Sequence, residues 1–148
     1  VMWAGSLSHN GLTGCGRDGD WACHQLEHEL SGMFDVAHGA GLSAVWGSWA
    51  RYVCQSDVDR FAKLAVDVLN VPYDYANPER TALEGIEAME AFFRSIHMPV
   101  SLTELGVQVS DEQIEELAYK CSFQETRTIG GVRALGRKDM EEIYRMAR

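Results

Sequence analysis

From Gly39 to Ala50 the chain reads GAGLSAVWGSWA, twelve residues without a charge. Read as a helix from His38 to about Val53, this stretch has no face suited to water, so it must be buried all round. It falls short of the roughly 18 apolar residues that a membrane span requires. A helix of this kind has to be wrapped by other elements of the same chain.

Those elements also read as helices. VMWAGSLSHNGL has helical character over residues 1 to 13. Asp18 or Asp20 can cap a helix running to about Met33, with a stop expected near Gly32. Ser56 and Asp59 suggest a capping box before Val58, Phe61, Ala65 and Val68, which recur at helical spacing. Asn77 followed by Pro78 marks a helix start, and Leu83, Ile86, Met89, Phe93 and Ile96 give that helix its inner stripe. Ser101 with Glu104, and Ser110 with Gln113, repeat the cap pattern. Residues 122–137 carry Gly130 and Gly131 and read as a loop. A final helix follows, with Met140, Ile143 and Tyr144 facing inward. No strand pattern emerges. The expected fold is all-α, a bundle of about six or seven helices in a single domain over residues 1–148.

The length of 148 residues and the 46% hydrophobic content suffice for a sizeable core. A net charge of -9 argues against nucleic acid and anionic membrane as partners. Cys15, Cys23, Cys54 and Cys121 form no C-x-x-C pair, and no signal peptide is recognisable. Unpaired thiols and a cytoplasmic location are expected.

Three of the five histidines, His24, His28 and His38, lie within fifteen positions. Residues on a helix step by about 100°. Ala22, Leu26, Leu30 and Met33 then share one face, and Trp21, His24, His28 and Ser31 share the opposite one. Imidazoles four residues apart can approach one cation or one substrate. Small residues beside His38, namely Gly39 and Gly41, allow close approach to the backbone. By spacing alone, two accounts stand: ordinary core or surface histidines, or a shared site. H-E-x-x-H is absent, because Gly32 follows Glu29 at the required position. Asp20 and His24 make a D-x-x-x-H pair, although Asp20 is better explained as a helix cap. GLTGCGRDG is glycine-rich, but no strand precedes it to make a phosphate loop.

The segment MWAGSLSHNGLTGCGRDGDWACHQLEHELSGMFDVAHGAGLSAV resembles the C-terminal half of the iron-containing, group III alcohol dehydrogenases, nearest to the butanol dehydrogenase-like branch. A histidine, an E-H-E-L stretch and a D-x-x-H-G segment carry the resemblance, which weakens but persists to the chain end. It implies a C-terminal all-helical domain paired with an N-terminal α/β domain that binds NAD or NADP. It also implies a divalent metal in the cleft, iron first and zinc next, held by an Asp and three histidines. His24 and His38 match the last two of these ligands. His28 matches a residue near the substrate and nicotinamide, with a proton-relay role. The implied reaction is hydride transfer between an alcohol and an aldehyde.

The first two ligands and the nucleotide domain would lie before Val1. The chain therefore reads as a fragment, inactive alone, with its histidine face exposed, wet or self-associated as a homo-oligomer. Trp21 is expected in the core, with pocket lining as the lesser option shared with Cys15; Cys23 is expected to be inert. Two other readings compete: a stand-alone helical scaffold without metal, and a metalloprotein that completes its site from two chains.

Overall fold

The computed structural model describes residues 1–16 and 18–148. Among the described residues seven α-helices follow in order: α1 Met2–His9, α2 Ala22–Phe34, α3 His38–Val53, α4 Val58–Leu69, α5 Pro78–Ser95, α6 Asp111–Cys121 and α7 Arg137–Ala147. Short 3-10 turns occupy Leu12–Gly14 and Cys54–Ser56. Among the described residues no strand forms; a single antiparallel bridge joins Ile129 to Leu135. The all-α expectation holds.

α3, which carries the uncharged stretch 39–50, lies at the centre and touches α2, α5 and α7. Ala44, Val45, Ala50 and Val53 are fully buried, and Leu42 and Trp46 are half-buried. Leu26 and Leu30 of α2, Ile114 and Leu117 of α6, and Met140, Ile143 and Tyr144 of α7 close the core around it. The Tyr144 hydroxyl donates to the Leu26 carbonyl at 2.7 Å and ties α7 to α2.

The helix starts follow their capping chemistry. Asn77 accepts from the Arg80 amide, with Pro78 in the first turn. Ser110 and Gln113 exchange both bonds of a capping box, at 3.2 and 2.9 Å. The cap of α4 is Asp57 rather than Ser56; its carboxylate accepts from the Arg60 amide, and Ser56 is absorbed into the 3-10 turn. Ser101 does accept from the Glu104 amide at 3.1 Å, but the segment makes a turn and no helix. Its Leu102 is held instead by the Ala147 carbonyl, at 2.7 Å.

Three details depart from the periodicity. α2 runs through Gly32 to Phe34 and stops where Asp35 turns left-handed, at φ 53°. The Ser31 hydroxyl oxygen lies 3.1 Å from the Val36 carbonyl just past the helix end. Val68 and Ile96, expected inside, are 60% and 50% exposed. Both stand at helix ends, Val68 next to the last residue of α4 and Ile96 just beyond α5. Leu83 is exposed for another reason, the small-residue contact between α4 and α5. A methyl group on Gly85 would stand 3.0 Å from the Ala65 Cα, so the two backbones meet there. α5 consequently faces inward through Thr81, Ala82, Gly85 and Ile86 rather than through Leu83.

Residues 122–136 form the expected loop. Phe123, Gln124 and Glu125 are all left-handed, at φ 47°, 58° and 66°. The Ser122 hydroxyl accepts the Glu125 amide at 3.1 Å. Arg127 donates to the Cys121 carbonyl at 3.0 Å, and its guanidinium lies 3.4 Å from the Phe123 ring centroid. α1 buries none of its residues, and Trp3 is 75% exposed.

All four cysteines are free, and only Cys15 is exposed. Burial pushes the Cys23 and Cys121 thiols up to about 12. The thiolate is the reactive form. Ellman's reagent should therefore modify one thiol quickly in the native chain and all four after denaturation.

Candidate metal centre

α2 and the start of α3 bring the three histidines together. Ring centroids of His24 and His38 are 5.4 Å apart, those of His28 and His38 5.4 Å, and those of His24 and His28 6.4 Å. His38 is thus equally near to both α2 imidazoles. His24 is half-buried, while His28 and His38 reach solvent. The pKa of His24 is lowered, first by burial and then by the neighbouring His38 and His28. Its neutral form, the one that binds metals, is favoured.

Behind this cluster sits a residue that the sequence did not single out. Glu27 is 0% exposed, in the middle of α2. One carboxylate oxygen meets Nδ1 of His38, and the other accepts the Ser31 hydroxyl. Space for it comes from Gly41, where a methyl group would lie 2.6 Å from Oε1. Glu27, His28 and His38 each offer a donor atom within 4.8 Å of the others. The available signal was the pair of small residues after His38: Gly41 stands one turn on, on the same face, and opens a recess that only the partner helix can fill.

Asp20 is a structural residue. Oδ1 accepts the Ala22 amide at 2.8 Å, which caps α2, and Oδ2 accepts the Gly131 and Val132 amides, each at 2.8 Å. Its carboxylate is therefore committed to backbone amides that anchor the 130–132 loop to the start of the histidine helix. Trp21 does not enter the core. It is 61% exposed and stands edge-on to His24, with ring centroids 5.0 Å apart. As the residue before the first turn of α2 it has no facing helix to cover it.

Two clefts flank His24, which lines both. One, of about 410 Å³, is bordered by Trp21, His28, Glu29, Phe123 and Arg127. The other, of about 440 Å³, is apolar, with Leu42, Trp46, Trp49, Phe93 and Met98 in its walls. Clustered imidazoles beside a cleft, with a carboxylate against one of them, suit a borderline divalent cation such as iron or zinc. The residues present fit such a group.

Residues 4–148 match the family profile described as Fe-containing alcohol dehydrogenase family, C-terminal. The chain is 33% identical over 146 residues to NADH-dependent butanol dehydrogenase A of Clostridium acetobutylicum, covering 98% of this chain and 37% of the relative. It is 31% identical to the probable NADH-dependent butanol dehydrogenase 1 of Bacillus subtilis, covering 98% of this chain and 36% of that one. Among solved structures, NADH-dependent butanol dehydrogenase A from Thermotoga maritima superposes with a TM-score of 0.87 at 31% identity, covering 98% of this chain and 37% of the other. The aldehyde reductase YqhD from E. coli gives 0.89 at 26% identity, over 100% of this chain and 38% of its own. The chain spans little more than a third of the length of these relatives.

Proposed function

Because the chain belongs to the iron-containing alcohol dehydrogenase family, as its C-terminal domain, we propose that it forms one wall of an NAD(P)-dependent, metal-dependent alcohol dehydrogenase. The reaction is the interconversion of alcohols and aldehydes. The observation that carries this reading is the meeting of His24, His28 and His38 at one spot, on the face of α2 turned away from the core.

In this reading His24 and His38 hold a divalent cation, iron first and zinc next, through ring nitrogens. The bound cation supplies Lewis acidity toward the substrate oxygen. NAD or NADP supplies or receives the hydride, and it is held by the portion of the relatives that this chain does not span. His28 moves a proton at a ring nitrogen between the substrate side of the cluster and water. Its exposed position in the cleft beside Trp21 and Phe123 supports that role and a place for it near the nicotinamide. The apolar walls of the second cleft exclude water next to His24.

The test is a chimera in which this chain replaces the C-terminal domain of the C. acetobutylicum enzyme. Loaded with Fe2+, it should oxidise NADH in the presence of butyraldehyde. His38→Ala should lose both metal and turnover. His28→Ala should keep the metal and lose about 10²- to 10⁴-fold in kcat, the usual scale of a general acid–base contribution. A folded, metal-loaded chimera that never oxidises NADH sinks the reading.

A further inference from the structure

Glu27 is a fully buried carboxylate that the proposed reaction does not use. We propose that it is the positioning residue of the centre: it accepts the Nδ1–H of His38 and thereby turns Nε2 outward, toward the cation. This rests on the reading of His38 as a ligand.

A carboxylate only accepts hydrogen bonds, so the ring nitrogen facing it must carry the proton. In a neutral imidazole the other nitrogen then keeps its lone pair. Metal-bound histidines commonly have such a carboxylate behind them, which fixes tautomer and ring orientation. The surroundings of Glu27 match that role rather than a ligand's. Its oxygens are both engaged, by His38 and by Ser31. The carboxylate is 0% exposed, whereas the His38 side chain is 50% exposed. The open side of the cluster thus belongs to imidazoles. His38 and Gly41 sit one turn apart on α3, so the ring lies above the recess and the carboxylate lies within it. Ser31 is one turn beyond Glu27 on α2 and holds the carboxylate from the other side.

Glu27→Gln and Glu27→Ala separate the possibilities. A glutamine can keep its carbonyl toward His38 while its amide donates to Ser31, whose hydroxyl then donates to the Val36 carbonyl. Long-range ¹H–¹⁵N spectra of the metal-free chain, at a pH well above the histidine range, report each imidazole tautomer. His38 should be the Nδ1–H tautomer in the native chain and in Glu27→Gln. Folded Glu27→Ala should shift it toward Nε2–H. In a Co2+ titration Glu27→Ala should weaken binding about 10- to 100-fold, and Glu27→Gln should remain close to native.

An unchanged tautomer in folded Glu27→Ala overturns the proposal. So does a Co2+ loss in Glu27→Gln as large as in Glu27→Ala, which would make the carboxylate itself a ligand. If Glu27→Ala does not fold, Glu27→Met fills the same recess without a strong acceptor, and an unchanged His38 tautomer in that variant overturns the proposal. His38→Ala is read separately. Undiminished Co2+ affinity in that variant refutes the ligand reading, whatever the tautomer spectra show.

Discussion

Gly41→Ala should destabilise the domain by about 1–3 kcal/mol, the usual cost of overpacking, although alanine is the better helix former. At an open helical site the same exchange stabilises by about 0.5–1 kcal/mol. Gly32 is such a site, since an added methyl there meets nothing within 4 Å. At Gly41 the methyl would stand 2.6 Å from Oε1 of Glu27, 2.8 Å from its Cγ and 3.1 Å from its Cδ. Either α2 and α3 separate, or the carboxylate leaves His38. A buried carboxylate stripped of its partner costs about 3–5 kcal/mol, so helix separation is the cheaper response. Urea midpoints of Gly32→Ala and Gly41→Ala should therefore move in opposite directions. A Gly41→Ala midpoint that rises would show that Glu27 is not confined by Gly41.

Tyr144→Ala should cost about 3–5 kcal/mol, a range typical of deleting a buried aromatic ring. A domain of this kind has about 5–15 kcal/mol to lose, so the variant should give up a large share of its stability and unfold at a much lower urea midpoint. Tyr144 is fully buried, and burial keeps its phenol neutral far beyond the ordinary tyrosine range. Its hydroxyl holds the Leu26 carbonyl, two residues along α2 from His24. Tyr144→Phe removes that one bond and keeps the ring; it should cost about 0.5–1.5 kcal/mol. Denaturation of the pair separates packing from hydrogen bonding. If Tyr144→Phe is as damaging as Tyr144→Ala, the bond to α2 dominates and the packing argument fails.

Much of the fold was legible where a local rule decides the outcome, although Ser101 with Glu104 obeys the same cap rule and makes only a turn. An uncharged stretch must find cover, and α3 is buried over most of residues 41–50, while Gly39 is exposed and Ala40, Leu42 and Trp46 are half-buried. Asn77–Pro78 and Ser110–Gln113 announce helix starts through bonds within four residues. The reading weakened where two helices decide together. The inner face of α5 is set by Gly85 meeting Ala65, so the larger side chains of the expected stripe turn partly outward. The same limit explains the site. Three histidines at helical spacing stand out in one dimension, but Glu27 scores as a polar surface residue in any single-helix pattern. Its burial is a relation between α2 and Gly41 on α3. Trp21 failed for the converse reason: an indole implies a core, yet no element covers the first turn of α2 on that side.

The way α4 and α5 are attached has a consequence for how the molecule breathes. They pack chiefly on each other, and α5 joins the remainder through α3 and the turn at Cys54–Ser56. α2, α3, α6 and α7 form a second set, linked by the Tyr144 hydroxyl and the shared core. Native proteins open in such contiguous blocks, each with its own free energy. The histidines and Glu27 all belong to the second block. A fluctuation that peels the α4–α5 hairpin away would strip the Phe93 wall from the apolar cleft while leaving the imidazole cluster assembled. Access to that cleft and integrity of the histidine cluster are then separate degrees of freedom.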